Sequence, residues 1–109
     1  MTMCDFCDVN EAEHLHGVQP LTDTLVKVYD IECRYTSAAT SLALCGTCTE
    51  WFTPEALEGL VVRASPSILA GLSPQPPAEW DTDFTRSVIL LRYNLRTGSV
   101  RPITPDGAT

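Results

Sequence analysis

Between Leu25 and Tyr35 the chain is rich in Val, Ile and Tyr and alternates loosely. Leu25, Lys27, Tyr29, Ile31, Cys33 and Tyr35 fall on one face, and Val26, Val28, Asp30, Glu32 and Arg34 on the other. That period predicts one strand whose first face meets the core, with Cys33 buried as a small hydrophobe. The small residues of 36–41 then form a loop, and Leu42-Ala-Leu44 a short return strand, so that the two strands pair as an antiparallel hairpin. The period changes after Cys48. Residues 49–52 begin a helical turn, and Thr53-Pro-Glu-Ala-Leu57 starts afresh, with Thr53 as N-cap, Pro54 at the first helical position and Glu55 near the positive end of the dipole. Leu57, Leu60, Val61 and Ala64 lie at helical spacing. Ser65-Pro66-Ser67 repeats the cap-and-proline signal, and Ile68, Leu69 and Leu72 predict a short second helix ended at Gly71.

Ser73-Pro-Gln-Pro-Pro77 fits neither a helix nor a central strand, and residues 73–83 read as a Pro-rich acidic linker carrying Trp80. From Ser87 to Leu95 the run Val88-Ile-Leu-Leu91 predicts a buried strand. Thr97-Gly98 then turns the chain and residues 99–103 pair back, giving a C-terminal β-hairpin with Arg92, Arg96 and Arg101 on its outer face. At the other end residues 1–8 form a tight turn, and Asn10 to His16 an acidic stretch with one helical turn at most. The organisation is then a module over 1–72, a linker over 73–83, a hairpin over 84–103 packing on the same domain, and a frayed tail over 104–109.

A chain of 109 residues is one domain, and its 44% hydrophobic share supports a modest core. No apolar run approaches the ~20 residues of a membrane span. Met1-Thr-Met-Cys-Asp-Phe-Cys-Asp lacks the basic and apolar regions of a signal peptide, so a cytoplasmic protein without membrane attachment is expected. Six Arg against one Lys is the skew of a GC-rich genome, such as that of an actinobacterium or one of its phages. The net charge of −7 is uneven: seven acids and one base lie within 1–32, whereas 86–101 holds four Arg and no acid.

The chemistry lies in the cysteines, at 4, 7, 33, 45 and 48. In a reducing compartment, paired Cys-x-x-Cys motifs hold metal more often than they form disulfides. Cys4, Cys7, Cys45 and Cys48 supply the four thiolates of a tetrahedral Zn²⁺ site. Gly46 provides the residue that most easily takes positive φ in such a turn, and Phe6, Trp51 and Phe52 are expected to pack over the metal. Other readings stand beside this one. His14 and His16 are ligands with one Cys pair, or surface spectators; Cys33 is core, a fifth ligand or a redox thiol. The four cysteines hold an iron–sulfur cluster, or Cys45-Gly-Thr-Cys48 is a dithiol redox motif. A catalytic zinc is disfavoured, because four thiolates fill the shell that water would need.

The order of a Cys pair on a knuckle, a β-hairpin, and a second Cys pair leading into a helix resembles the treble-clef zinc fingers over residues 4–63. The resemblance implies an α+β fold and zinc ligation by those four cysteines, and no single function. The 37 residues between the pairs and the break at Pro54 depart from the family's usual form. The resulting expectation is a zinc-pinned protein without enzymatic activity that occupies the surface of a protein partner, its acidic N-terminal half facing a basic surface. The alternative is nucleic-acid binding through Arg86, Arg92, Arg96 and Arg101. Trp80 is a candidate partner anchor or a cap on the core.

Overall fold

The computed structural model describes residues 2–103. The four strands that come first are β1 (His14–Val18), β2 (Leu21–Val28), β3 (Ile31–Ser37) and β4 (Ser41–Leu44). A short helix α1 (Gly46–Trp51), a 3₁₀ turn (Pro54–Ala56) and the helix α2 (Leu57–Ala70) follow. The two-residue strand β5 (Leu72–Ser73), a second 3₁₀ turn (Ala78–Trp80), the helix α3 (Asp81–Asn94) and the strand β6 (Arg96–Pro102) complete the described chain. The fold is therefore mixed α+β, with two three-stranded antiparallel sheets in the orders β4-β1-β6 and β2-β3-β5.

The single strand expected over 25–35 is two. A tight turn at Tyr29 and Asp30 folds β2 onto β3, pairing Val28 with Ile31 and Val26 with Cys33. The turn is hidden in the sequence because Tyr29 itself takes the left-handed conformation, at φ 52, where glycine or asparagine normally marks such a position. Its ring packs 5.0 Å from that of Trp80, which sets aromatic contact against the backbone cost. The expected pairing of β4 with the preceding strand is also replaced. β4 lies against β1, with His14 opposite Leu44 and Gly17 opposite Ser41. Residues 14–18, read as the end of a polar loop, thus become the central strand of the first sheet.

The larger correction concerns residues 84–103. In place of a β-hairpin they form most of α3, a turn, and β6, which pairs with β1 rather than with its own neighbour. The run Val88–Leu91 looked like a strand taken alone. The helical signal lies upstream, where Asp81 and Asp83 stand in the first turn and favour the positive end of the dipole. The buried residues Phe84, Thr85, Val88, Ile89 and Arg92 then recur on one helical face. The linker expected over 73–83 shrinks accordingly, since Ser73 belongs to β5 and 78–83 to the second 3₁₀ turn and α3. Because β6 joins β1, the C-terminal element is built into the N-terminal module. The tail over 104–109 lies outside the described residues.

The break at Pro54 occurs as the spacing predicts: Thr53 Oγ1 accepts from the Ala56 N–H at 3.3 Å, with Pro54 at the first position. Pro66, in contrast, does not start a new helix; it sits inside α2. An interior proline normally costs about 3 kcal/mol, because it leaves the carbonyl four residues earlier without its donor. Here that residue is Val62, 79% exposed, so water reaches this face of the helix. The opposite face of α2 buries Leu57, Leu60, Val61, Ala64 and Ile68 against α3 and holds the helix continuous.

Cys33 is buried in this core beside Val26 and Leu72, away from the other cysteines, as the small-hydrophobe reading expects. In β1, Gly17 permits the close approach of β6: a Cβ there would run into Thr97 Oγ1. Leu60 is wholly buried in the α2 face. Leu60→Ala is expected to lower the unfolding free energy by about 2–5 kcal/mol, read from urea unfolding of the metal-loaded protein.

Candidate metal centre

Two turns present the cysteines. In the first, the Cys4 N–H donates to the Asn10 carbonyl at 2.9 Å and the Asp8 N–H to the Cys4 carbonyl at 3.0 Å, closing a loop around Cys7. Asp8 takes the left-handed conformation at φ 53, a position that Asp tolerates better than most residues. The positive φ expected at Gly46 is thus found in the other knuckle. Gly46 instead opens α1 and donates its N–H to Glu13 Oε2 at 3.0 Å. Asp5 fastens the first knuckle to β4 through a reciprocal pair. Its N–H donates to the Ala43 carbonyl, and its Oδ2 accepts from the Ala43 N–H, each at 2.7 Å.

The second turn is the β4–α1 junction. Cys45 is the N-cap of α1, and its sulfur accepts from the Cys48 N–H at 3.5 Å. The Asn10 side-chain amide points at the same sulfur at 3.7 Å. N–H groups aimed at sulfur favour the thiolate over the thiol and orient it for a metal. Asn10, Asp5 and Glu13 were not singled out in the sequence. Each is an ordinary polar residue whose role depends on the β1–β4 pairing, which the pattern did not give.

These turns bring Cys4, Cys7, Cys45 and Cys48 together with all ligand atoms within 4.8 Å of one another. All four are free thiols, between 0 and 9% exposed. The Cys7 and Cys45 sulfurs are 3.8 Å apart. A tetrahedral ion with metal–sulfur bonds of 2.3 Å separates its sulfurs by about 3.8 Å, so the pocket has the size of one four-coordinate ion. It is far too wide for a disulfide, which needs about 2.05 Å.

The electrostatics also call for a cation. Burial raises the Cys4 thiol above its ordinary range. Burial, joined by the charge of Cys4, drives Cys48 much further up. For Cys7, burial again opposes ionisation, but N–H groups of Asn10 and Val9 and the neighbouring thiols of Cys4 and Cys45 outweigh it and bring the value down to about 6. Cys7 ionises most readily, while burial above all, with the neighbouring sulfurs, holds protons on Cys4 and Cys48. Four sulfurs this close become anionic together only around a positive ion.

Of the three expected aromatic residues, Phe6 and Phe52 are buried in the cluster that holds the cysteines, whereas Trp51 turns to α2. Phe6 and Phe52 are buried and meet edge to face with centroids 5.4 Å apart. Trp51 is half-buried beside α2, with the Arg63 guanidinium 5.4 Å from its ring centroid. The two histidines lie in β1, outside the sulfur cluster. His16 is buried against Phe52, and its Nε2 lies 3.2 Å from Thr49 Oγ1. It is thus neither a ligand nor a surface spectator; it is a packing residue under α1.

The candidate partner residues are dispersed. Trp80 is half-buried, its ring closing the β2–β3 turn against the start of α3. Arg86 is locked to Glu58 at 2.7 Å and Asp83 at 2.9 Å. Arg92, placed by the sequence on an exposed face, is 0% exposed, because it shares the helical stripe of Phe84 and Val88. Arg96 stacks on Tyr93, its guanidinium 3.6 Å from the ring centroid. Arg96 and Arg101 are exposed on β6, whose seven residues are all exposed.

Burial, with the positive charges of His14 and Arg96 nearby, lowers the pKa of His16 below its ordinary 6.5. Below pH 6.5 the unfolded chain therefore binds a proton that the folded chain resists, and stability falls as pH falls through that window. His16→Gln removes the titration. The wild-type protein is expected to lose more unfolding free energy than His16→Gln between pH 7.5 and 5.5 in parallel urea titrations. Metal loss at acid pH affects both and cancels in the comparison.

No family model, curated protein or solved structure matches the chain, so its function is read from this geometry and chemistry.

Proposed function

We propose that the chain is a small zinc-stabilised binding protein, in which Cys4, Cys7, Cys45 and Cys48 hold one Zn²⁺ and a protein partner is engaged by surface occupancy. The observation that carries the metal assignment is the size and chemistry of the sulfur cluster: four buried thiols, mutually within 4.8 Å, one pair at a tetrahedral edge length. A cluster of several irons and sulfides spaces its cysteines more widely than a single ion does. Four thiolates also complete a tetrahedral shell, leaving no position for water or substrate, so the role is structural and the protein is not a zinc enzyme.

The build is treble-clef-like. The knuckle of Cys4 and Cys7, the antiparallel pair β1 and β4, and Cys45 and Cys48 at the start of α1 follow that order. The long spacing between the Cys pairs is accounted for by the β2–β3 hairpin inserted between β1 and β4.

For the partner, we favour an extended acidic segment of another protein added beside β6. This strand ends the order β4-β1-β6, so its outer side is unpaired among the described residues, and it carries Arg96 and Arg101. A backbone edge flanked by two guanidinium groups suits strand addition by an acidic chain. The N-terminal acids serve a partner less well: Asp5 accepts from Ala43, Glu13 from Gly46, and Asp23 lies 3.6 Å from Arg34. Nucleic acid is the weaker reading, because burying Arg92 and neutralising Arg86 dismantles the basic face, on a chain of net charge −7.

Purified protein is expected to contain one Zn²⁺ per chain by elemental analysis. Cys48→Ser should release it and unfold the N-terminal module, since structural zinc contributes ~10 kcal/mol or more of apparent folding energy. A metal-free Cys48→Ser protein with native near-UV dichroism would refute the structural role, and iron in the analysis would refute the metal's identity.

Capture of a protein partner by the zinc-loaded chain is expected to survive nuclease treatment and to be lost in Arg96→Glu/Arg101→Glu, while zinc content stays unchanged. Capture that disappears with nuclease, and weakens steeply with salt, would point to nucleic acid instead.

A further inference from the structure

Arg92 heads the fully buried side chains by volume, and none of its three guanidinium nitrogens has a hydrogen-bond partner. It takes part in none of the ion pairs among the described residues. A guanidinium removed from water with no hydrogen-bond acceptor is strongly unfavourable, and such a group is ordinarily found paired; the Asp5 carboxylate acts on it without a hydrogen bond or ion pair. The nearest explanation is a missing counter-ion, and there is room for one.

Arg92 lines a partly open cavity of about 200 Å³ walled by residues of the first knuckle, β3, the β3–β4 loop, the start of β4, α2 and α3. Tyr35, Ser37 and Ser67 bring hydroxyl groups to its wall, while Phe6, Leu42 and Ile68 supply apolar surface. A buried guanidinium in the wall of a cavity that mixes hydroxyl-bearing and apolar side chains offers a charged contact and an apolar surface to one small ligand. Asp5 is also in the wall, but its Oδ2 already accepts from the Ala43 N–H at 2.7 Å.

The charge balance selects the ligand. One guanidinium offers one positive charge and a planar fork that donates two parallel hydrogen bonds to a planar oxyanion. A dianion such as phosphate would meet the Asp5 carboxylate and a chain of net charge −7 with only Arg92 to offset it. We propose that this cavity binds a small monocarboxylate, with its carboxylate on the Arg92 guanidinium and a short apolar body against Phe6, Leu42 and Ile68. Burial alone already weakens the protonated guanidinium, an effect that the Tyr35 hydroxyl and Asp5 only partly offset, so a bound carboxylate would relieve the strain. The site is independent of β6 and of any protein partner.

The test uses the zinc-loaded full chain titrated with sodium butyrate, sodium benzoate, sodium phosphate and sodium chloride at matched ionic strength. Two readouts serve, the thermal midpoint and the NMR resonance of the Arg92 Nε–H group. Butyrate or benzoate should raise the midpoint saturably and shift that resonance, whereas phosphate and chloride should do neither. Arg92→Met removes the unpaired charge with an apolar side chain of similar reach, so it should fold at least as stably as wild type without ligand. Carboxylate binding should weaken about 10- to 100-fold in that variant.

An Arg92 resonance unmoved by both carboxylates overturns the proposal whatever the variant does. Equal midpoint shifts in wild type and Arg92→Met, or stronger binding of phosphate than of carboxylate, overturn it as well. If Arg92→Met does not fold, Arg92→Lys, which keeps the charge without the fork, should retain weakened binding. Undiminished affinity in Arg92→Lys would overturn the forked contact.

Discussion

Four sulfur atoms gathered within 4.8 Å of one another are the constraint on which the remaining structure depends. The knuckle of Cys4 and Cys7 buries only Phe6 besides its cysteines, and is otherwise held by the hydrogen bonds of Asp5 with Ala43. The Cys45–Cys48 turn sits where the first sheet ends and the helices begin. Joining the two closes a loop of about forty residues, so every strand from β1 to β4 folds with its ends already fixed. A cation bound there would resolve the charge conflict among the thiols, whose burial otherwise keeps protons on Cys4 and Cys48. Its uptake would then be coupled to folding.

The sulfur cluster lies on one side of a core whose other side is assembled by helix packing. Phe6 and Phe52 cover the sulfur cluster and pass contact on to Tyr93 of α3, whose ring lies 5.5 Å from that of Phe52. From there α3 runs along α2 and reaches β2, which connects the second sheet. In this way a modest apolar content suffices, because one cluster of buried residues is shared by the first knuckle, both sheets and both long helices.

What could be read in the sequence were features carried by spacing within a few residues. The two Cys-x-x-Cys turns, the Thr53–Pro54 helix start, the apolar stripe of α2 and the burial of Cys33 all depend on local geometry. What could not be read were pairings and exceptions that the tertiary structure enforces. Tyr29 makes a turn without glycine because Trp80, fifty residues on, packs against it. Pro66 stays inside α2 because the face it disrupts looks to solvent while the other is tightly packed. The central position of β1 follows from which strands meet it, and nothing in the pattern of His14 to Val18 announces two partners.

Arg92 shows most sharply how such a misreading arises. The apolar run Val88–Leu91 suggested a strand, and a strand continued into a hairpin put Arg92 on its outer face. In the helix the same residue falls four positions after Val88, on the buried stripe, where a hydrophobic side chain would ordinarily stand. A sequence that departs from its own pattern at one core position trades stability for something else at that position. In the metal site the equivalent departure is four thiols crowded together, and a cation accounts for it. At Arg92 the departure is a lone cation crowded among Phe6, Tyr35 and Ile68, and the matching account is an anion. The two sites are next to each other through the first knuckle, where Cys4 and Cys7 face the sulfur cluster and Asp5 and Phe6 line the cavity. Because the first knuckle is shared, an ion bound by its cysteines would also order one wall of the arginine's cavity.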